Sequence, residues 1–312
     1  MNVDVSPTRN DDLPEIADIT REVHPGFIAD RLAERTTHNI CNGYCMRDLS
    51  LTARVQGAIV GNVYFSEFDV FSLGKELKGV ELAIVSVRKS FQRQGVGTAL
   101  IQNAHEIAKV SGYDVAIVNG WPEYYSRFGY RSALGAPHFH VRPLYSGPDV
   151  LLSWRAAGSN DISRLREIWE KGNADLALAM APPMGMALRR YEEVWVVEDG
   201  CAAGARGFVI LDAENRNINC FESESRSVSL EMLGHLANQG YANDQGLIDL
   251  PVHPKHRFAS DLEDCVETAT ISRKDYLMAC DFTGCLSRVF READEDQNLL
   301  GVYWTPRNEW VK

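Results

Sequence analysis

Residues 90–109 read SFQRQGVGTALIQNAHEIAK, and this stretch decides the fold. From Thr98 onward, Leu100, Ile101, Ala104, Ile107 and Ala108 recur at helical spacing, and Gly112 ends the run. Just before it, GVELAIVSV at 79–87 is a short apolar run that predicts a strand. Gly95 and Gly97 lie between the two. A strand that feeds a glycine loop and then a helix presents free backbone N–H groups at the positive end of the helix dipole. Such a place attracts phosphate. Small residues let the anion approach the backbone, and Lys89 and Arg93 add positive charge.

A Gly-x-Gly alone is a weak signal. It lacks the Gly-Lys-Ser/Thr of a P-loop and the third glycine of a dinucleotide fingerprint, so the common nucleotide folds fit poorly.

Working outward, VDVSPT followed by DDLPEIADITREV predicts a strand, an acidic turn and a helix with Ile16, Ile19 and Val23 on one face. LSLTARVQGAIVGNVYFSEFDVF alternates in polarity around Gly57 and predicts an antiparallel strand pair. YDVAIVNG, after the central helix, is another apolar strand, and WPEYYSRFGYRS follows it. Gly135, Pro137, Pro143, Gly147 and Pro148 mark residues 132–149 as a linker. Beyond it the order partly restarts: a strand, turn and helix in 150–172, a strand pair in 193–211, then NINCFESES, a helix in 228–240 and the strand GLIDLPV. This is a weak internal repeat in element order. DYLMACDFTGCLSRVFREAD predicts a last strand and helix. The expected domains are 1–145 and 150–312, in line with a 312-residue chain.

The net charge is −11. Residues 1–150 carry −2 of it and the remainder −9, so the acidity sits in the second half. A nucleic-acid partner is disfavoured, because phosphate contacts need a basic face. An acidic protein suits a cationic small substrate, although solubility explains the charge equally well. No run of about 18 apolar residues occurs, so no membrane span is expected. The polar, acidic N-terminus lacks signal-peptide regions, which predicts a cytoplasmic protein. The seven cysteines are scattered. Cys41 with Cys45, Cys280 with Cys285, His138 with His140, and His253 with His256 all lack nearby completing ligands in the sequence. No metal is expected.

Gln92-Arg93-Gln94-Gly95-Val96-Gly97 matches the Gln/Arg-x-x-Gly-x-Gly/Ala signature of the GNAT superfamily of acyl-CoA-dependent acyltransferases, and EYYSRFGYRSA resembles its Tyr-x-x-x-Gly-Phe/Tyr segment. The resemblance covers about the first 150 residues, on motif plus element order. It implies an α/β (α+β) fold, each unit a mixed, mostly antiparallel sheet flanked by helices. It also implies acetyl-CoA as co-substrate, bound with its pyrophosphate on the loop amides from Gln92 to Thr98. The pantetheine arm would lie along Leu82 to Val87, pairing with the main chain around Val85, Ser86 and Val87, where the next strand splays away. Asn119 would contact the cofactor amide. Glu81 matches a general-base position of several GNAT enzymes, and at about 3.3 Å per residue it lies about 20 Å of strand from Val87, within an arm's reach of the acyl group. A solvated strand-end carboxylate is its alternative reading. Tyr125, four residues before Gly129, matches the general acid. A phenol of pKa about 10 can protonate a thiolate leaving group of pKa about 8.5. Packing on the core is its alternative, and the offset fits Tyr125 rather than Tyr124.

The repeat carries FESESRSVSLEM where its loop should be, with no Gly-x-Gly and with Glu222, Glu224 and Glu231 placed to repel a pyrophosphate. A second unit without coenzyme A is therefore expected. Tandem units of this kind resemble the Eis-type (enhanced intracellular survival) acetyltransferases. Those carry a further C-terminal domain for which this chain has little room. The resemblance implies direct N-acetyl transfer to a primary amine, either a small cationic amine or a peptide amine. The acidic second unit, through Glu222 and Glu224, would draw a cation in. A non-catalytic acyl-CoA sensor is the alternative function, and a homo-oligomer is compatible with either.

Overall fold

The computed structural model describes all residues except 25, 27–28, 31, 35, 37–48, 144–151, 182–183, 186–187, 189–192, 200–203, 213–215, 258, 274–275, 297–300 and 304–312. Cys41 and Cys45 lie outside the described residues. Along the first half run β1 (Asp4–Pro7), α1 (Leu13–Val23), β2 (Leu51–Val55), β3 (Ala58–Ser72), β4 (Lys75–Val87), α2 (Val96–Val110), β5 (Val115–Asn119), α3 (Pro122–Tyr125), β6 (Tyr130–Ser132) and β7 (Leu134–Val141). There follow β8 (Leu152–Ala156), α4 (Ile162–Asn173), β9 (Ala179–Ala181), β10 (Glu193–Asp199), β11 (Gly207–Asp212), β12 (Asn217–Ser223) and α5 (Arg226–Asn238). The last elements are β13 (Ile248–Leu250), β14 (Val266–Arg273), β15 (Leu277–Asp281), α6 (Ser287–Glu295) and β16 (Gly301–Tyr303).

The chain forms two compact units, and they do not follow the expected 1–145 and 150–312 division. Unit 1 takes 1–68, 78–132 and 276–285; unit 2 takes 69–77, 133–275 and 286–312. In unit 1 the strands lie in the order β1-β2-β3-β4-β5-β15-β6. β4 and β5 are parallel; β5 with β15 and β15 with β6 are antiparallel. The late strand β15 fills the gap between β5 and β6, with Met278 opposite both Val118 and Ser132. Its Met278 and Cys280 join the core of β2 to β5 and α2. α2 is held there by Leu100, Ile101, Ala104 and Ala108, all buried, as the sequence period requires.

The element order of the repeat holds in unit 2. The antiparallel sheet β12-β11-β10-β8 carries a helix on each face. Phe208 and Ile210 pack with Leu165, Ile168 and Trp169 of α4. Val209 points the other way, to Val228, Met232 and Leu233 of α5. The two units also open their first helix alike. The Asp12 carboxylate accepts from the Arg9 amide at 2.9 Å, as that of Asp161 accepts from Gly158 at 2.8 Å. Each is clamped by a strand arginine, Arg54 at 2.6 Å and Arg155 at 2.8 Å.

Residues 134–141, expected within a linker, form β7. The alternation LGAPHFHV buries Gly135, Pro137, Phe139 and Val141 on one face and leaves His138 and His140 on the other. Gly135 and Pro137 read as breakers, yet the strand is fixed by neighbours distant in sequence, β13 and β14, both antiparallel to it. That pairing also sets Asp249 opposite His140. The carboxylate that the sequence lacked beside this histidine pair is therefore supplied by the fold. Among the described residues, Cys220, Cys265, Cys280 and Cys285 are free thiols. No helix of the described residues is long and apolar enough to cross a membrane.

Candidate active site

β4 ends at Val87, and a short turn at Lys89–Phe91 leads into the loop before α2. Gly95 caps the helix in the left-handed region at φ 87°, where side chains are strained, and no side chain caps this end. The first N–H groups of a helix have no partner within it. The amides of Val96, Gly97 and Thr98 thus have no partner within the helix. Gln92 is spent on structure, its side-chain amide donating to the Val87 carbonyl at 2.9 Å, and the Gln94 amide donates likewise to Ser90 at 2.8 Å. Arg93 and Arg127 both line the cavity of about 640 Å³ that opens here. Gly95, Gly97 and Thr98 complete its loop side. Trp121, Glu123 and Tyr124 form the opposite side. Lys89 is not among these residues.

β5 pairs with β4 only from Gly79 to Leu82, while β4 continues to Val87. The main chain from Ala83 to Val87 therefore runs past its neighbour, as splaying requires. Along this strand Val80, Leu82, Ile84 and Ser86 are buried on one face. Ser86 hydrogen-bonds the His24 ring at 3.3 Å. Its side chain is thus turned inward and partnered. Val85 and Val87 sit on the other, half-buried face, as does Glu81, which lies opposite Ile117. Asn119 ends β5 opposite Leu277 of β15.

The two tyrosines divide between two environments. Tyr124 has its ring under the Arg127 guanidinium at 4.6 Å. Its hydroxyl lies against Gly97, so close that a Cβ there would be 2.6 Å away. It therefore belongs to the loop end of the site. Tyr125 is 9% exposed and part of the unit 1 core, edge-on to Tyr124 and Tyr130. Burial pushes its phenol well above the usual value, with the neighbouring Tyr124 adding to this. It stays protonated at any working pH, but it is a weaker proton donor than a pKa of about 10 would make it. Sequence reasoning missed Trp121, Glu123 and Arg127 of this cavity. The only signal was an exposed indole and a cation within a segment read for its tyrosines.

At the matching position of unit 2 the helix end is capped. Ser225 caps α5 with its own hydroxyl, which accepts from the Val228 amide at 3.4 Å. Glu222 and Glu224 do not form the expected acidic patch. Glu222 is 5% exposed, accepting from Asn173 at 2.9 Å and paired with His256 at 3.0 Å. Glu224 is neutralised by Arg164 and Arg206 at 2.5 and 3.2 Å.

The sheet of unit 1, parted at β4 and β5 beside an uncapped helix, forms a mixed α/β domain. Residues 47–132 match the family model of the acetyltransferase (GNAT) domain. Over 94 residues the chain is 32% identical to the uncharacterized N-acetyltransferase YhbS of Escherichia coli strain K12, spanning 30% of this chain and 53% of that one. The chain thus spans about half the length of the curated relatives it matches. Its fold resembles that of a GCN5-related N-acetyltransferase from Kribbella flavida, at a TM-score of 0.69 and 13% identity, over 90% of this chain and 72% of that one. It also resembles Eis1 from Mycobacterium abscessus, at 0.58 and 16%, over 90% and 74%. The match to the GNAT domain thus falls on residues 47–132, most of them in unit 1, and the fold is mixed and mostly antiparallel in both units.

Proposed function

We propose that unit 1 transfers an acetyl group from acetyl-CoA directly to a primary amine. The observation that carries this reading is the row of uncapped amides at Val96 to Thr98, flanked by Arg93 and Arg127 beside a strand that outruns its neighbour. Amides and guanidinium groups fit a pyrophosphate. The open main chain of Ala83 to Val87 fits the amide-bearing arm, and Asn119 is at hand for one of its amides. Unit 2, whose helix is capped by Ser225, does not fit a second molecule.

The amine nitrogen attacks the thioester carbon, and the carbon–sulfur bond breaks. Glu81 takes the proton from the nitrogen. Tyr125 donates a hydrogen bond that holds the charge on the departing sulfur, which leaves as the thiolate of coenzyme A and takes its proton from solvent. The acceptor is a small amine or a peptide amine, and Glu222 and Glu224 play no part in choosing it, since both are already paired.

Thiol release from acetyl-CoA with a panel of amines tests the assignment. Tyr125→Phe is expected to lower kcat about 100-fold with little change in KM for acetyl-CoA. Tyr125 is also a core residue, which is the observation that favours a sensor. Acetyl-CoA binding with no turnover of any amine would replace the enzyme by that sensor.

A further inference from the structure

Outside the acetyltransfer motifs, unit 2 gathers two histidines and a carboxylate on one sheet face. His138 and His140 are two residues apart on β7 and so share a face. β13 pairs with one edge of that strand and sets Asp249 opposite His140. β14 is also paired to β7 and sets Thr268 opposite the same residue. The Asp249 carboxylate lies 3.2 Å from Nδ1 of His138 and 3.6 Å from Nε2 of His140. One donor atom from each of the three residues lies within 4.8 Å of the others. Donors bound at about 2.0–2.2 Å around a tetrahedral ion stand about 3.3–3.6 Å apart. The observed spacing needs only small side-chain rotations to reach that.

Three features go beyond proximity. Nδ1 of His140 is 2.9 Å from the Thr268 hydroxyl. With that nitrogen as donor, Nε2 keeps its lone pair toward Asp249, the arrangement by which outer partners fix a ligating imidazole. The side chains of His138, His140 and Asp249 are 30%, 40% and 35% exposed, which leaves an entry path and a free coordination position. The donor set of two imidazoles and one carboxylate suits a first-row transition ion or zinc, not the all-oxygen shells of magnesium and calcium.

We propose that His138, His140 and Asp249 bind a divalent first-row cation, with zinc as the resident ion and water in the remaining position. The ion would fasten the three-residue strand β13 to β7. The site is independent of acetyltransfer.

The test uses the full chain, without an affinity tag and stripped by a chelator, titrated with Co²⁺ and then Zn²⁺. One equivalent of Co²⁺ should give the visible absorption of a low-symmetry nitrogen- and oxygen-bound ion, and Zn²⁺ should bleach it. His138→Gln and Asp249→Asn should each abolish the signal, with circular dichroism reporting that the fold is kept. Thr268→Val keeps all three ligands and should weaken Co²⁺ affinity about 10-fold by freeing the His140 ring. Zn²⁺ should raise the Tm of the wild type and not that of Asp249→Asn. No absorption change in the wild type, or equal uptake by a His138→Gln/Asp249→Asn double variant, would overturn the proposal.

Discussion

Gly97 leaves room for the Tyr124 hydroxyl, and the loop end of the site depends on that room. A methyl group at Gly97 would stand 2.6 Å from that oxygen and push the ring aside. Gly97→Ala is expected to weaken coenzyme A binding about 10-fold, by calorimetry. Removing the hydroxyl as well, in Gly97→Ala/Tyr124→Phe, should recover most of the loss; no recovery would mean that the alanine acts through the loop backbone instead. His105 on α2 is a second residue with a defined consequence. It is 6% exposed and bonded to the Tyr130 hydroxyl at 2.9 Å. Burial pushes it down to about 4 from an ordinary 6.5. A base with a depressed native value contributes its full stability above pH 6.5, where both states are neutral, and loses it as the pH falls toward 4, because the unfolded chain takes up the proton first. The loss is about 3 kcal/mol over that window. Urea midpoints from pH 7 to 4 should fall more steeply for the wild type than for His105→Gln.

Among the elements, the turns after β4 and after β12 show how one plan gives two outcomes. Both lead from a strand into a helix. After β4 the cap is a glycine without a side chain, and the amides remain available. After β12 a serine hydroxyl takes one of them, and the glutamates nearby are built into the unit. Glu222 links β12, α4 and the segment around His256 through two buried hydrogen bonds. Removing Glu222 leaves the buried groups of Asn173 and His256 without their hydrogen-bond partner, so Glu222→Ala should cost about 3 kcal/mol in urea unfolding. Glu224→Gln, on a partly exposed pair, should cost about 1 kcal/mol or less. Neither change should alter the amine KM beyond its effect on folding. A KM change in Glu224→Gln at unchanged stability would restore an acceptor role for this segment.

For the whole molecule, the exchange of strands between stretches of sequence matters most. Unit 1 takes β15 from near the end of the chain, and without it β5 and β6 have open edges and lose Met278 and Cys280 from their core. Unpaired apolar edges invite association. Residues 1–145 expressed alone are therefore expected to aggregate, although they contain every acetyltransfer motif. A monomeric 1–145 fragment that binds coenzyme A would show β15 to be dispensable.

The sequence alone determined the local units. The period of Leu100 to Ala108 made a helix, the run at 79–87 made a strand, and Gly95 between them left the helix N-terminus without a side-chain cap. These follow from spacing and backbone chemistry over fewer than about ten residues, and they suffice to place the glycine loop and the position of Tyr125. What lay beyond the sequence depended on contacts between distant segments. Residues 134–141 looked like a linker because Gly135 and Pro137 weaken a strand locally, whereas hydrogen bonds from β13 and β14 outweigh that cost. Glu222 looked like surface charge until the fold buried it against His256. The assignment of β15 to unit 1 has the same origin, since it pairs with β5 and β6 across more than 140 residues of chain. Asp249 reaches His138 and His140 from 111 residues away along the chain to His138, a distance no local pattern spans. Short-range geometry is written in neighbouring side chains, whereas strand pairing is chosen by the burial that the whole fold makes possible.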